Sequence, residues 1–389
     1  MRKLAVLLLA AGWAWPAMAA KYVNVGQLEQ LLDSLHGKSD AKVAGELWDL
    51  ELTERVTAAR LAHWETEFLG SRTHEALIKL TDMAAFLDPP AADVTPIAAP
   101  DLQTQERMLV LAAEYVKSAK ARLPNFLATR KTTHFEDTAS TDAMGMSRDY
   151  AMGARGKPVL MMPECAAGNT AYKFLHSAGT SSTQVAYRDG EEVRVADTGQ
   201  GKNTGVTPGG LTTVGEFGPF LSIVMGDAVR SEVVWLRWEK GAGDPVAVFR
   251  YAVPAEQSNY QVGIPLGGKI DNVYPGYHGE IAIDPATGAI LRMSAVFEMA
   301  APYQAMKSAI LVEYAPVEIG AQSYICPVHG VAFSRVPVAM DTETQQATGP
   351  MQTQMNDVVF TQYHVFRSQA QIVTDGSGDA TPAPADRQP

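Results

Sequence analysis

The chain has 389 residues, a formal net charge of −11, 46% hydrophobic residues and only two cysteines. An acidic balance of this size argues against nucleic acid and anionic membranes as partners, because both are polyanions. Against typical domains of about 100–200 residues, the length predicts two domains or one large β unit.

The first stretch reads as an address. Arg2 and Lys3 precede an apolar run from Leu4 to Trp15, followed by Pro16 and the small-residue pattern Ala17-Met18-Ala19. This is the pattern of a secretory signal peptide cleaved after Ala19, and the run is too short to span a bilayer. No cysteine stands at the cleavage site to carry a lipid, and no other stretch approaches the ~20 apolar residues of a membrane helix. The expected product is exported, periplasmic or extracellular, without a transmembrane anchor. Losing Arg2 and Lys3 takes its charge from −11 to −13. Cys165 lies in a loop-like region and Cys326 in the strand-like run Tyr324–Val328. An oxidising compartment allows a disulfide between them; the alternative is one buried and one exposed thiol.

From Val25 to Leu87 apolar residues recur at helical spacing, with Val25, Leu28, Leu31, Leu32 and Leu35 on one stripe and Leu77, Leu80, Ala84 and Leu87 on another. Ser39 before Asp40, and Thr53 before Glu54, have the character of N-caps, so four short helices fit here, with Trp48, Trp64 and Phe68 as their core. Pro89, Pro90, Pro96 and Pro100 then end helical structure and read as a stiff linker. Asp101 caps a new helix carrying Met108, Leu111, Ala112, Tyr115, Val116 and Ala119 on one face up to Pro124. A strand follows over 125–135.

Residues 138–170 carry no period and read as a long loop. A hairpin of 180–187 and 191–196 turns at Arg188-Asp189-Gly190. A second loop, 198–213, holds five glycines. Phe217, Phe220, Leu221 and Val224 sit at i, i+3, i+4 and i+7 of a short apolar helix, with Pro219 near its start. Beyond it the chain alternates strand and turn: 230–239, 246–254, 260–264, 277–298, 308–315, 322–328, 331–336 and 357–373. Within 277–298, Tyr277, Ile281 and Ile283 alternate with His278, Glu280 and Asp284, and Leu291, Met293 and Phe297 alternate with Arg292, Ser294 and Glu298. That is a hairpin with one apolar and one wet face, closed by Asp284-Pro285-Ala286-Thr287-Gly288.

The chemistry-bearing motifs are few. Asp197-Thr198-Gly199 after Val193 and Val195 matches the centre of an aspartic protease signature, whose chemistry needs a second carboxylate to share a proton. No second such motif occurs, and Gln200 stands where that family carries a small residue, so a turn at the strand end outweighs catalysis for Asp197. Gly201-Lys202-Asn203 lacks the leading glycine and the hydroxyl residue of a phosphate loop. No histidine pair has metal-ligand spacing, and His278 and His364 read as ordinary strand residues. Neither a metal nor a cofactor is called for.

The order of elements resembles the periplasmic lipoprotein carrier family: a helix ending at Leu123-Pro124, a strand, the hairpin around Arg188-Asp189-Gly190, an apolar helix and a long strand meander. The runs Phe249–Val253 and Tyr277–Gly288 resemble those of uncharacterised secreted bacterial proteins. The resemblance spans roughly 103–373 and implies a half-barrel holding acyl chains against a helical lid. The N-terminal helices, the longer loops and the acidic balance depart from the carriers.

The expected fold is α+β: a helical bundle over 20–88, the linker 89–100, an antiparallel curved sheet or half-barrel over 101–373 covered by one or two helices, and a disordered tail over 374–389. The expected function is binding a lipid or other apolar molecule, or an envelope protein, on the concave face. Its lining would be Phe217, Phe220, Leu221, Val224, Tyr277, Ile281, Ile283, Leu291, Met293 and Phe297. The alternatives are a hydrolase using Asp197 and a purely structural envelope protein.

Overall fold

The structure, a computed structural model, describes residues 21–137, 151–152, 158–159, 175–194, 211, 215–266, 269–340 and 347–365. The expected signal peptide, Cys165, Asp197, the glycine loop up to 210 and the expected tail over 374–389 lie outside the described residues.

Four helices come first. α1 (Val25–Leu35) is closed by a capping box in which Asn24 Oδ1 accepts from Gln27 N at 2.8 Å and Gln27 Oε1 accepts from Asn24 N at 2.9 Å. α2 (Asp40–Trp48) follows Ser39, but the Asp40 carboxylate turns to the next layer and caps α4 (Ser71–Met83), accepting from Thr73 N at 2.8 Å. α3 (Ala58–Glu67) begins after Thr57 and not at Thr53. Thr53 instead follows the parallel pair β1 (Lys21–Val23) and β2 (Leu50–Leu52), donating its N–H to Val23 O. Leu28, Leu32, Leu47, Trp64, Leu77 and Leu80 of these helices share one apolar core.

The proline-rich segment does not hang free. Val94 bridges Glu239, Thr95 donates its N–H to Trp238 O at 2.9 Å, and Trp238 Nε1 donates to Ala98 O at 3.1 Å. Proline suits such an edge because it cannot offer a further N–H to a ladder. α5 (Leu102–Arg122) starts where Asp101 Oδ1 accepts from Thr104 N at 2.7 Å.

The strands are β3 (Phe126–Glu136), two-residue β4 (Ala151–Met152) and β5 (Pro158–Val159), β6 (His176–Arg188), β7 (Glu191–Arg194), β8 (Glu232–Glu239), β9 (Val246–Val253), β10 (Val262–Leu266), β11 (Lys269–Val273), β12 (Gly276–Ile283), β13 (Ile290–Glu298), β14 (Lys307–Ile319), β15 (Gln322–Met340) and β16 (Ala347–Val365). Ten of them form one antiparallel sheet in the order β7-β6-β3-β16-β15-β14-β13-β12-β9-β8. The β6–β7 turn puts Asp189 and Gly190 at φ 53 and 83, the positive pair that a tight hairpin needs. The runs 322–328 and 331–336 are a single strand, because Gly330 continues the ladder to Val312 and Val358. β16 starts ten residues before the expected 357, and β11 has no counterpart in the sequence reading.

Both faces of the sheet are covered. On one, α5 and α6 (Pro219–Ala228) pack Met108, Ala112, Phe220, Leu221 and Val224 against Phe249, Tyr277, Ile281, Met293 and Ile310. On the other, Ile78, Ala85 and Phe86 from α4 and the turn after it meet Phe135, Leu311, Val331 and Met355. The chain between α4 and α5 passes along β8, the edge strand, and so joins the two covers. The face read as wet is therefore mostly buried: Arg292 and Ser294 lie beneath the N-terminal helices, and of the polar residues alternating on β12 and β13 only His278 and Glu298 stay exposed.

Two of the residues expected on the apolar face sit elsewhere. Phe217 precedes the helix, which starts at Pro219, and joins Phe126, Tyr187 and Phe360 in a separate aromatic cluster. Leu291 is the extra residue of a β-bulge, since Ile283 pairs with Ile290 and Ala282 with Arg292. The bulge turns Leu291 to the opposite face, beside Val248 and Ala282.

Candidate functional site

Phe220, Leu221, Val224, Tyr277, Ile281, Ile283, Met293 and Phe297 are at most 5% exposed and touch one another in a filled core. Tyr277 is tied down further: its hydroxyl donates to Asp227 Oδ2 at 2.8 Å, and Asp227 also accepts from Asn259 N at 2.8 Å. Where α6 meets the middle of the sheet these side chains pack as core.

Space opens beside it. A cavity of about 360 Å³ lies between the C-terminal turn of α5, the residues leading into α6, the β12–β13 turn and the start of β15. Tyr115, Phe217, Leu221, Ile290, Tyr314 and Ile325 form its apolar wall, while Arg122, Asp284, Thr287 and Ser323 bring polar groups. Of the expected lining residues, Phe217 and Leu221 belong to its wall, and Leu291 borders it at the bulge although its side chain packs on the other face beside Val248 and Ala282. Its position follows from the helix start: Gly215 takes φ +84 and Pro219 opens the helix, so residues 216–218 form a turn and α6 cannot extend over this end of the sheet. Arg122 is held over the Tyr115 ring at 3.9 Å and donates to Tyr115 O at 2.7 Å.

Glu216 lines the same cavity and is 1% exposed. Neither carboxylate oxygen has a hydrogen-bond partner among the described residues; the nearest cation is Arg130, with Nη2 at 3.4 Å from Oε1. Its backbone carbonyl, by contrast, accepts from Tyr314 Oη at 3.1 Å. A buried carboxylate this poorly satisfied is costly, and such groups in a cavity wall are where ligands find their polar contact. Sequence reasoning missed Glu216, although it is the only charged residue between Lys202 and Asp227. Cys326 is buried and forms no disulfide among the described residues, and burial pushes its thiol up to about 12.

A second polar constellation lies on the opposite face. His329 on β15 places Nε2 3.1 Å from Asp357 Oδ1 on β16 and 3.5 Å from Asp82 Oδ1 at the end of α4, and Nδ1 3.2 Å from Glu313 Oε2 on β14. Burial lifts the Asp82 carboxyl to about 7 despite the neighbouring imidazole. Burial works against the charged His329, yet Asp82, Asp357 and Glu313 outweigh it and hold the imidazole well above its ordinary value. Next to this cluster, Glu239 accepts from Arg55, Arg237 and Arg292 at 2.7–3.1 Å, joining α-helical cover to sheet. His278 and His364 are exposed, the first paired with Glu298 at 3.0 Å.

No protein-family model, no curated protein and no solved structure matches this chain. Among the described residues, no helix is long and apolar enough to cross a membrane.

Proposed function

We propose that this chain is an exported binding protein whose ligand is a small molecule with an apolar body and a hydrogen-bond-donating or cationic head, held in the cavity between α5, α6 and the β12–β13 turn. The observation that carries this reading is Glu216: a buried carboxylate in the wall of a largely apolar cavity, with Arg130 at 3.4 Å but no hydrogen-bond partner among the described residues. The volume of about 360 Å³ falls at the lower end of small-molecule sites, about 300–1,000 Å³. In this reading the sheet plays the part of the carriers' half-barrel, α5 and α6 form the lid, and the N-terminal helices are a bundle that closes the far face. Binding sits at one end of the lid, because the middle is filled core. Among the described lining residues the hydroxyl of Thr287 donates to Asp284 at 2.6 Å, a contact that closes the β12–β13 turn, and in this reading the chemistry of the cavity is recognition and release.

The test is fluorescence titration with N-phenyl-1-naphthylamine, an apolar body with one N–H donor, on the mature chain. Saturable binding is expected, with competition by dodecylamine and much less by dodecanoic acid, whose head is repelled by Glu216. Ser323→Trp obstructs the exposed side of the cavity and should abolish the signal with little change in Tm; Glu216→Gln should erase the preference for the amine. Undiminished binding in Ser323→Trp, or a preference for the acid, overturns the reading.

A further inference from the structure

The geometry points to a divalent transition-metal site, for Zn²⁺ before others, formed by His329 Nε2, Asp82 and Asp357 at the junction of the N-terminal helices with the sheet. Three observations lead there. The candidate ligand atoms lie within 4.8 Å of one another, and His329 Nε2 stands 3.1 Å from one carboxylate oxygen and 3.5 Å from the other. Ligands about 2.0–2.2 Å from a tetrahedral Zn²⁺ are themselves about 3.4 Å apart, so the spacing already approximates two edges of the coordination polyhedron.

The second observation is the orientation of the ring. Carboxylates face both ring nitrogens, Glu313 Oε2 3.2 Å from Nδ1 and Asp357 Oδ1 3.1 Å from Nε2, so a metal bound at Nε2 would displace that nitrogen's proton while Nδ1–H stays on Glu313. A carboxylate behind a ligating imidazole is the usual outer partner at metal sites, and it raises the basicity of the nitrogen facing the metal. The third is an unmet need. Asp82 is 3% exposed, and its Oδ2 has no hydrogen-bond partner among the described residues. Three carboxylates surround one imidazole, and the nearest guanidinium groups, Arg55 and Arg292, are already engaged by Glu239. A metal cation satisfies Asp82 Oδ2 and the surplus negative charge together. The His329 side chain is 23% exposed, which leaves an entry path and a position for water as the fourth ligand.

The ligands come from α4, β15 and β16, with Glu313 behind them on β14. The ion therefore staples the N-terminal helices to the centre of the sheet, as structural zinc does when its binding energy becomes folding energy. It lies on the opposite face from the cavity, and its test is independent of ligand binding.

The mature chain, stripped with chelator and dialysed, should take up one Zn²⁺ in a calorimetric titration, and Tm should rise by several degrees at saturation. Asp357→Asn and His329→Gln should each remove both effects. If either fails to fold, Glu313→Gln leaves all three ligands in place and should weaken Zn²⁺ by about 10–100-fold. X-ray absorption at the zinc edge of the unmodified protein should show one imidazole and oxygen ligands without sulfur. Absence of stoichiometric uptake, uptake undiminished in all three variants, or sulfur in the coordination shell overturns the proposal.

Discussion

The two faces of the ten-stranded sheet are buried by opposite means. Under α5 and α6 the contact is apolar: Phe220, Leu221 and Val224 meet Tyr277, Ile281 and Met293, and the buried ionic group at the middle of that face, Asp227, is satisfied by Tyr277 and Asn259. Under the N-terminal helices the contact is small and apolar at Ile78 and Phe86, and otherwise ionic, through Arg55–Glu239 and Asp82–His329. The apolar face gains from water release and tolerates no gap. The ionic face pays desolvation and recovers it only while every partner is present. The first builds a core; the second builds a junction whose strength depends on protons and ions.

Truncation on either face should be costly, and the two costs should differ in character. Phe220→Ala removes a ring that is 3% exposed and should lower unfolding free energy by about 3–5 kcal/mol, with no dependence on pH. Glu239→Ala leaves the Arg55, Arg237 and Arg292 guanidinium groups facing one another and should cost about 3–5 kcal/mol near neutral pH. Urea unfolding at pH 7 and at pH 3 separates them: the Phe220 penalty stays, and the Glu239 penalty shrinks at pH 3. Equal pH dependence in the two variants would remove the distinction between the faces.

The wild-type chain should show the same junction in its acid limb. Burial pushes the Glu239 carboxyl up, but Arg292 and Arg55 outweigh it and bring it down from 4.5 to about 2. A carboxyl depressed in the folded state contributes stability that is fully present above pH 4.5 and is lost as pH falls toward 2. The contribution is about 3 kcal/mol on the scale of 1.36 kcal/mol per pKa unit. Relative to the wild type, Glu239→Gln should flatten the stability profile between pH 5 and pH 2; an unchanged acid limb would sink this assignment.

What was legible in the sequence was local. The 3.6-residue stripe of Val25, Leu28, Leu32 and Leu35 gave α1, and Arg188-Asp189-Gly190 gave a hairpin whose Asp189 and Gly190 carry the required positive φ. Alternation gave the apolar face of β12 and β13, except at Leu291, where a bulge that leaves no mark in composition inverted one side chain. Period two states which residues share a face and says nothing about what lies on it. Arg292 and Glu280 therefore read as solvated although helices cover them. The site was harder still. Asp82, His329 and Asp357 come from three distant segments, so their meeting depends on strand order and on the docking of α4. Glu216 stands one residue before the expected apolar stripe, where an acid is unremarkable; the turn set by Gly215 and Pro219 leaves it buried.

The smallest expected effect is the sharpest test of the idea that cover, and not residue type, sets the weight of a charge. His278 and Glu280 are two residues apart on β12 and point to the same face. Glu280 accepts from Arg237 at 2.8 Å and lies within the junction, whereas His278 pairs with Glu298 with the two side chains 48% and 70% exposed. An exposed pair of this kind contributes about 0–1 kcal/mol and is screened by salt. His278→Ala should therefore shift the urea midpoint by no more than about 0.5 kcal/mol equivalent. Glu280→Ala, with Arg237 then short of a partner, should cost several times as much. Glu280 belongs to the buried ion network and His278 does not, so a large penalty at His278 would mean that the junction extends over the whole strand.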